Sequence, residues 1–71
     1  MANYKLKQHA IFTDDNATRV QAGTVYAGAT LNGKQTKEFL IVELCDAGGV
    51  VTDTTDIKFE PMETIAGLSE V

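Results

Sequence analysis

"GATLNGKQT", residues 28–36, carries two incompatible readings, and the choice between them decides the fold. Gly28, Gly33 and Lys34 stand at the spacing of a phosphate-cradling P-loop, while Asn32-Gly33 is a strong signal for a tight β-hairpin. The P-loop needs Ser or Thr directly after its lysine to hold magnesium, but Gln35 stands there and Thr36 comes one residue late. It also needs a helix after the glycines, so that backbone N–H groups point at phosphate. The chain instead continues into "FLIV", residues 39–42, an apolar run of strand character. The hairpin is therefore the expectation. A two-residue type I′ loop needs positive φ at both central positions, which Asn and Gly tolerate best. Such a loop sets Leu31 against Lys34, Val25 against Leu40 and Tyr26 against Phe39.

Outward from this stretch, residues 4–12 alternate. Tyr4, Leu6, Ala10 and Phe12 fall on one face and Lys5, Lys7 and His9 on the other, with Gln8 breaking the apolar series. Period two with one wet face is a half-buried strand. "TDDNAT", residues 13–18, gathers side chains that bond their own backbone and reads as a loop. A second strand runs over residues 19–31, with Gly23 and Gly28 marking a bulge or bend. "EFLIVELC", residues 38–45, is apolar on both faces apart from Glu43, so it is expected in the middle of the fold with Glu43 at a rim. "DAGGV", residues 46–50, reads as a reversal through Gly48-Gly49, and residues 50–59 as a further strand ended by Pro61. Pro61 also suits the start of a short helical turn that Glu60 and Glu63 complement. "TIAGLSEV", residues 64–71, is short enough to be only a last strand or a tail.

Together these elements give a single all-β domain over residues 1–71, either a small curled antiparallel meander or a five-stranded barrel with one short helical turn near Pro61. The order of elements resembles that of SH3-like small barrels, whose final strand follows one turn of 3₁₀ helix. The acidic/aromatic loop signature and the tryptophan of peptide-binding SH3 domains are absent.

Seventy-one residues bury only roughly 60% of the surface an unfolded chain exposes, so stability must come from disulfides, metal, association or close packing. Cys45 is the only cysteine and His9 the only histidine, which removes intrachain disulfides and Cys/His metal clusters. Cys45 reads as a small buried hydrophobe, and no third group is spaced to make Cys45 and His9 a nucleophile and base. Neither a cofactor nor a metal is expected. No apolar run suits a membrane span, and "MANYKLK", residues 1–7, lacks the apolar centre of a secretory signal, so a cytoplasmic location is expected. Asn16-Ala17-Thr18 fits the glycosylation sequon, which has no meaning without export.

The net charge of −4 is unevenly placed. Residues 1–37 hold five cations against two carboxylates, and residues 38–71 hold eight carboxylates against Lys58 alone. That balance argues against a general nucleic-acid binder, which needs clustered cations. Asp53, Asp56, Glu60 and Glu63 form the most conspicuous polar group; their spacing is not that of a calcium loop. They suit either a solvated face or a docking surface for a basic protein. Tyr4 and Tyr26 are the aromatic residues best suited to an interface, or else belong to the core.

The expectation is a non-enzymatic protein-binding module, a small regulator or inhibitor that presents the acidic face to a basic partner. A first alternative is a structural subunit that self-associates through sheet edges. A second is a small oligomer that sequesters a nucleotide-like ligand, with Lys34 and Lys37 as contacts. Small accessory proteins of bacteriophages include the first two types, and size and charge fit them.

Overall fold

The computed structural model describes residues 2–15 and 18–69. The sequon Asn16-Ala17-Thr18 falls mostly outside them. Among the described residues the chain is mostly strand: β1 (Asn3–Leu6), β2 (Ala10–Ile11), β3 (Arg19–Val20), β4 (Val25–Ala27), β5 (Leu40–Cys45) and β6 (Val51–Phe59), with a single helical turn α1 (Gly28–Leu31) and a 3₁₀ turn at Thr13–Asp15. No helix among them is long and apolar enough to cross a membrane.

All pairings are antiparallel. Four strands lie in the order β4-β1-β5-β6, and β2 pairs with β3 separately. The larger sheet is open, with β4 and β6 at its edges, so the architecture is all-β without a closed barrel. It is also not a simple meander, because β1 is inserted between β4 and β5. The apolar phase of residues 4–12 holds: Tyr4, Leu6, Ala10 and Phe12 are all buried, while Lys7, Gln8 and His9 form an exposed bend that splits the expected strand into β1 and β2. The expected strand over residues 19–31 is likewise broken. Gly23, at φ +92°, turns the chain between β3 and β4, and residues 28–31 leave the sheet.

The hairpin at Asn32-Gly33 is not formed. Gly28–Leu31 makes one helical turn, closed by Asn32 N–H donating to the Gly28 carbonyl at 3.1 Å. Gly33 comes next at φ +90° after Asn32 at φ −58°, ψ 131°, and Lys34 N–H donates to the Leu31 carbonyl at 3.0 Å, so the two residues make a type II β-turn. The tight turn and the meeting of Leu31 with Lys34 are thus present, but the turn joins a helical turn to extended chain rather than two strands. Val25 pairs with Lys5, and Tyr26 stands opposite Tyr4 instead of Phe39. The ring next to Tyr26 is Phe12, edge-on at 5.6 Å between centroids. β5 is still a central strand, flanked by β1 and β6 rather than by β4. Glu43 is accordingly not at a sheet rim. It lies mid-strand opposite Lys5, its side chain only 13% exposed, with Lys7 Nζ 3.9 Å away.

Freed from the sheet, residues 33–37 become a ribbon bonded on both sides. On one side Thr13 N–H donates to the Gln35 carbonyl and Lys37 N–H to the Ile11 carbonyl. On the other, Gly33 N–H donates to Ile65, Ile65 N–H to Lys34 and Met62 N–H to Thr36, each at 2.8 Å. Thr36 is the buried polar residue at the centre, its hydroxyl donating to the Glu38 carbonyl at 2.6 Å. A buried hydroxyl is tolerated only when so satisfied.

The segment after β6 is consequently a strap rather than a loose tail or a strand. Ile65 and Leu68 are buried in the main core beside Leu31, Leu40 and Phe59. Asn32 acts toward the strap as a peptide group does in a sheet: its amide donates to the Leu68 carbonyl at 3.0 Å and its side-chain oxygen accepts from Leu68 N–H at 3.3 Å. Tyr4 completes the seat, its hydroxyl accepting from Ser69 N–H at 2.9 Å. Gly28 is required for close approach, since a Cβ there would stand 2.0 Å from the Ser69 carbonyl oxygen. The short helical turn expected at Pro61 is a β-turn instead. Glu63 N–H donates to the Glu60 carbonyl at 3.1 Å, and Met62 at φ 65° cannot continue a right-handed helix.

Substitution separates these roles. Gly28→Ala is expected to destabilise the fold by about 3 kcal/mol, through a backbone clash that cannot be relieved by a rotamer change. Gly33→Ala meets no neighbouring atom and is expected to cost only about 1–2 kcal/mol, for the left-handed backbone. Urea unfolding of both variants measures the difference; equal losses would contradict the close approach of the strap.

Candidate functional site

The β5–β6 hairpin sets the exposed polar residues of the molecule. The reversal over residues 46–50 forms as its sequence indicates: Asp46 N–H donates to the Val50 carbonyl, and Asp46 Oδ1 accepts from Gly48 and Val50 N–H, each at 2.9 Å. β6 then runs along the edge of the sheet and departs twice from regular pairing. Val42 pairs with Ile57 and Leu44 with Asp53, so Glu43 alone faces residues 54–56; a second irregularity lies at residue 52. Surplus residues on one strand are forced outward. Residues 52–56 are all exposed as a result.

This edge carries two of the four acidic residues, Asp53 and Asp56, and the β-turn beyond it carries Glu60 and Glu63. The four follow one another along β6 and its turn, a ridge in chain order, and among the described residues they do not converge into a group of three or more able to hold a metal ion. Their surroundings differ. Asp56 accepts from Lys7 Nζ at 2.8 Å, which removes much of its charge from view. Asp53 accepts from Thr55 N–H at 2.9 Å, and the Thr55 backbone and hydroxyl hold its carboxyl below the usual carboxylate range. Glu63 Oε1 accepts from Glu60 N–H at 2.9 Å, fixing the turn. Among the described residues no lysine, arginine or histidine lies within ion-pair distance of Asp53, Glu60 or Glu63.

Lys58, the one cation of the ridge, leans away from it. Its Nζ stands 4.2 Å from the centroid of the Phe39 ring, a cation–π arrangement on the outer face of the sheet. Phe39 is 42% exposed, one of the largest apolar side chains at the surface together with Val50 and Met62. Residues 38–45 are expected to be covered on both faces; Leu40 and Val42 are buried, whereas Phe39, on the opposite face, is exposed. Beside it His9 Nε2 stands 3.7 Å from Glu38 Oε2.

The remaining expected site residues are dispersed. Tyr4 is buried, with its hydroxyl engaged by Ser69, so it belongs to the core and not to an interface. Tyr26 is half-buried against the core. Lys34 donates to Asp14 Oδ2 at 2.6 Å and lies over the Phe12 ring at 5.7 Å, while Lys37 is exposed. Lys34 leads into extended chain, so no helix N-terminus stands beside it. Cys45 is buried, and burial pushes its thiol above the ordinary value. Among the described residues there is no group of three or more His, Cys, Asp or Glu side chains able to hold a metal ion, and no enclosed pocket.

Comparison with protein-family models, with curated proteins and with solved structures returned no match.

The Lys34–Asp14 pair makes a pH prediction. The Lys34 hydrogen bond holds the Asp14 carboxyl below its ordinary value of 3.8. A lowered folded-state value means that the pair's stabilisation is present above that ordinary value and disappears as pH falls through the folded one. Carboxyl NMR titration should place Asp14 below 3.8 in the native protein and near it in Lys34→Ala. An unchanged midpoint in the variant would show that the pair does not form.

Proposed function

We propose that the protein is a non-enzymatic protein-binding module, a small regulator or inhibitor that meets a basic partner surface with the ridge formed by β6 and the Pro61 turn. The observation that carries this reading is the unneutralised state of Asp53, Glu60 and Glu63. Three carboxylates stand exposed without an ion pair among the described residues, while Lys7 and Lys58 are drawn to Asp56 and to Phe39. Electrostatic complementarity of this kind acts mainly on association rate and partner choice. Asp56 contributes little to such a surface, since Lys7 already answers it.

Contact through this surface is favoured over strand addition. Long flat edges invite added strands, whereas bulges and charged side chains blunt them. β6 carries two irregularities with Asp53, Asp56 and Lys58, and the opposite edge, β4, has only three residues.

The test is charge reversal. The triple variant Asp53→Lys, Glu60→Lys, Glu63→Lys should keep the native circular dichroism and lose at least tenfold in affinity for a partner captured from source cells by the wild-type chain, and wild-type binding should weaken steeply with salt. Capture that is indifferent to both charge reversal and salt would reject the acidic ridge as the contact surface.

A further inference from the structure

Met62 holds a conformation that ordinary side chains avoid. It is the non-glycine residue at positive φ among those described, at 65°, and it comes directly after Pro61 in the tight turn over residues 60–63. Nothing in its own side chain accounts for this, because Met62 is 57% exposed and outside the core. The geometry is imposed from both sides. β6 ends at Phe59 on the sheet edge, and the strap must return at once to reach its seat on residues 28–36. The turn is thus a strained hinge between two well-anchored elements.

The seat is made to receive a strap, whichever copy of the chain provides it. Gly33 and Lys34 exchange backbone hydrogen bonds with Ile65, Asn32 brackets Leu68, Tyr4 receives Ser69, and Gly28 leaves room for the Ser69 carbonyl. Every one of these contacts lies beyond the hinge. An identical strap from a second molecule makes them all. A hinge opened to an extended form gives up the turn bond from Glu63 N–H to Glu60 and the bonds of Met62 to Thr36 and Gln35 within its own chain, and returns Met62 to ordinary backbone geometry.

We propose that two copies of this chain exchange straps, each inserting Ile65 and Leu68 into the seat of the other, with Pro61-Met62 as the hinge. Short hinges under strain favour such exchange. Without strain, a strap competes with its own tethered copy at an effective concentration on the order of millimolar, which sets the dimer dissociation constant near that value. Relief at Met62 is on the order of fivefold per hinge, and two hinges open per dimer, so the constant falls on the order of 25-fold, to tens of micromolar. The hinge lies between Glu60 and Glu63, so exchange rearranges that end of the acidic ridge and leaves Asp53 and Asp56 on β6 in place.

The wild-type chain, unfolded and refolded at about 1 mM and at about 5 µM, is examined by size exclusion with light scattering. Dimer is expected at the higher concentration and monomer at the lower. In Met62→Gly the hinge is unstrained, and the dissociation constant should rise on the order of 25-fold. A dimer assembled from isotopically labelled and unlabelled chains should give interchain NOEs between the Asn32 side-chain amide and Leu68. The proposal is overturned by a monomer at 1 mM, by a dimer whose stability ignores Met62→Gly, or by a dimer in which the Asn32–Leu68 contacts are all intrachain.

Discussion

The fold depends on the hydrogen bonds between one side chain, Asn32, and the backbone of Leu68, thirty-six residues further along the chain. A small open sheet leaves one face of its core uncovered, and here the strap covers it. Burying Ile65 and Leu68 contributes roughly 3–6 kcal/mol before entropy. A domain of this size has a net stability on the order of 4–11 kcal/mol, so the strap is decisive rather than decorative. Its backbone has no regular ladder to join. Asn32, the ribbon over residues 33–36 and Tyr4 supply the partners instead, and among the described residues no buried side-chain polar atom is left unsatisfied. The Cα radius of gyration, 11.0 Å, matches the roughly 11 Å of a fully compact chain of this length.

Local signals in the sequence were legible where the structure they specify is local. The alternation from Tyr4 to Phe12 names the buried residues correctly, the Gly48-Gly49 reversal produces the β5–β6 hairpin, and Pro61 ends β6. The central place of β5 was readable from its two apolar faces. Asn32-Gly33 makes a tight turn as its chemistry indicates but misled on what it joins: the pair that permits a type I′ turn between strands also permits a type II turn after a helical one, and positive φ at Gly33 serves either. Two weak signals favoured the second outcome. Gly28 and Leu31 lie three residues apart and are both buried, as on one side of a helical turn, and Ile65 and Leu68 repeat that spacing in the segment read as a last strand or a tail. The insertion of β1 between β4 and β5 had no local signature, because pairing between strands distant in sequence is settled by the packing of the whole.

Composition marked the acidic residues but not their surroundings. Asp53, Asp56, Glu60 and Glu63 are exposed along β6 and its turn while Glu43 is largely covered, and only the structure separates Asp56, held by Lys7, from the other three. The same packing that drew Phe39 out of the assumed hairpin gave Lys58 a ring to rest on.

Native-state hydrogen exchange tests the strap directly. The amides of Gly33, Ile65 and Leu68 each donate a hydrogen bond that exists only when the strap is seated. If the strap is part of the cooperative fold, these amides exchange with a free energy close to that of global unfolding, alongside those of β1 and β5. Exchange of all three at the rate of an open chain, while β1 and β5 stay protected, would contradict it.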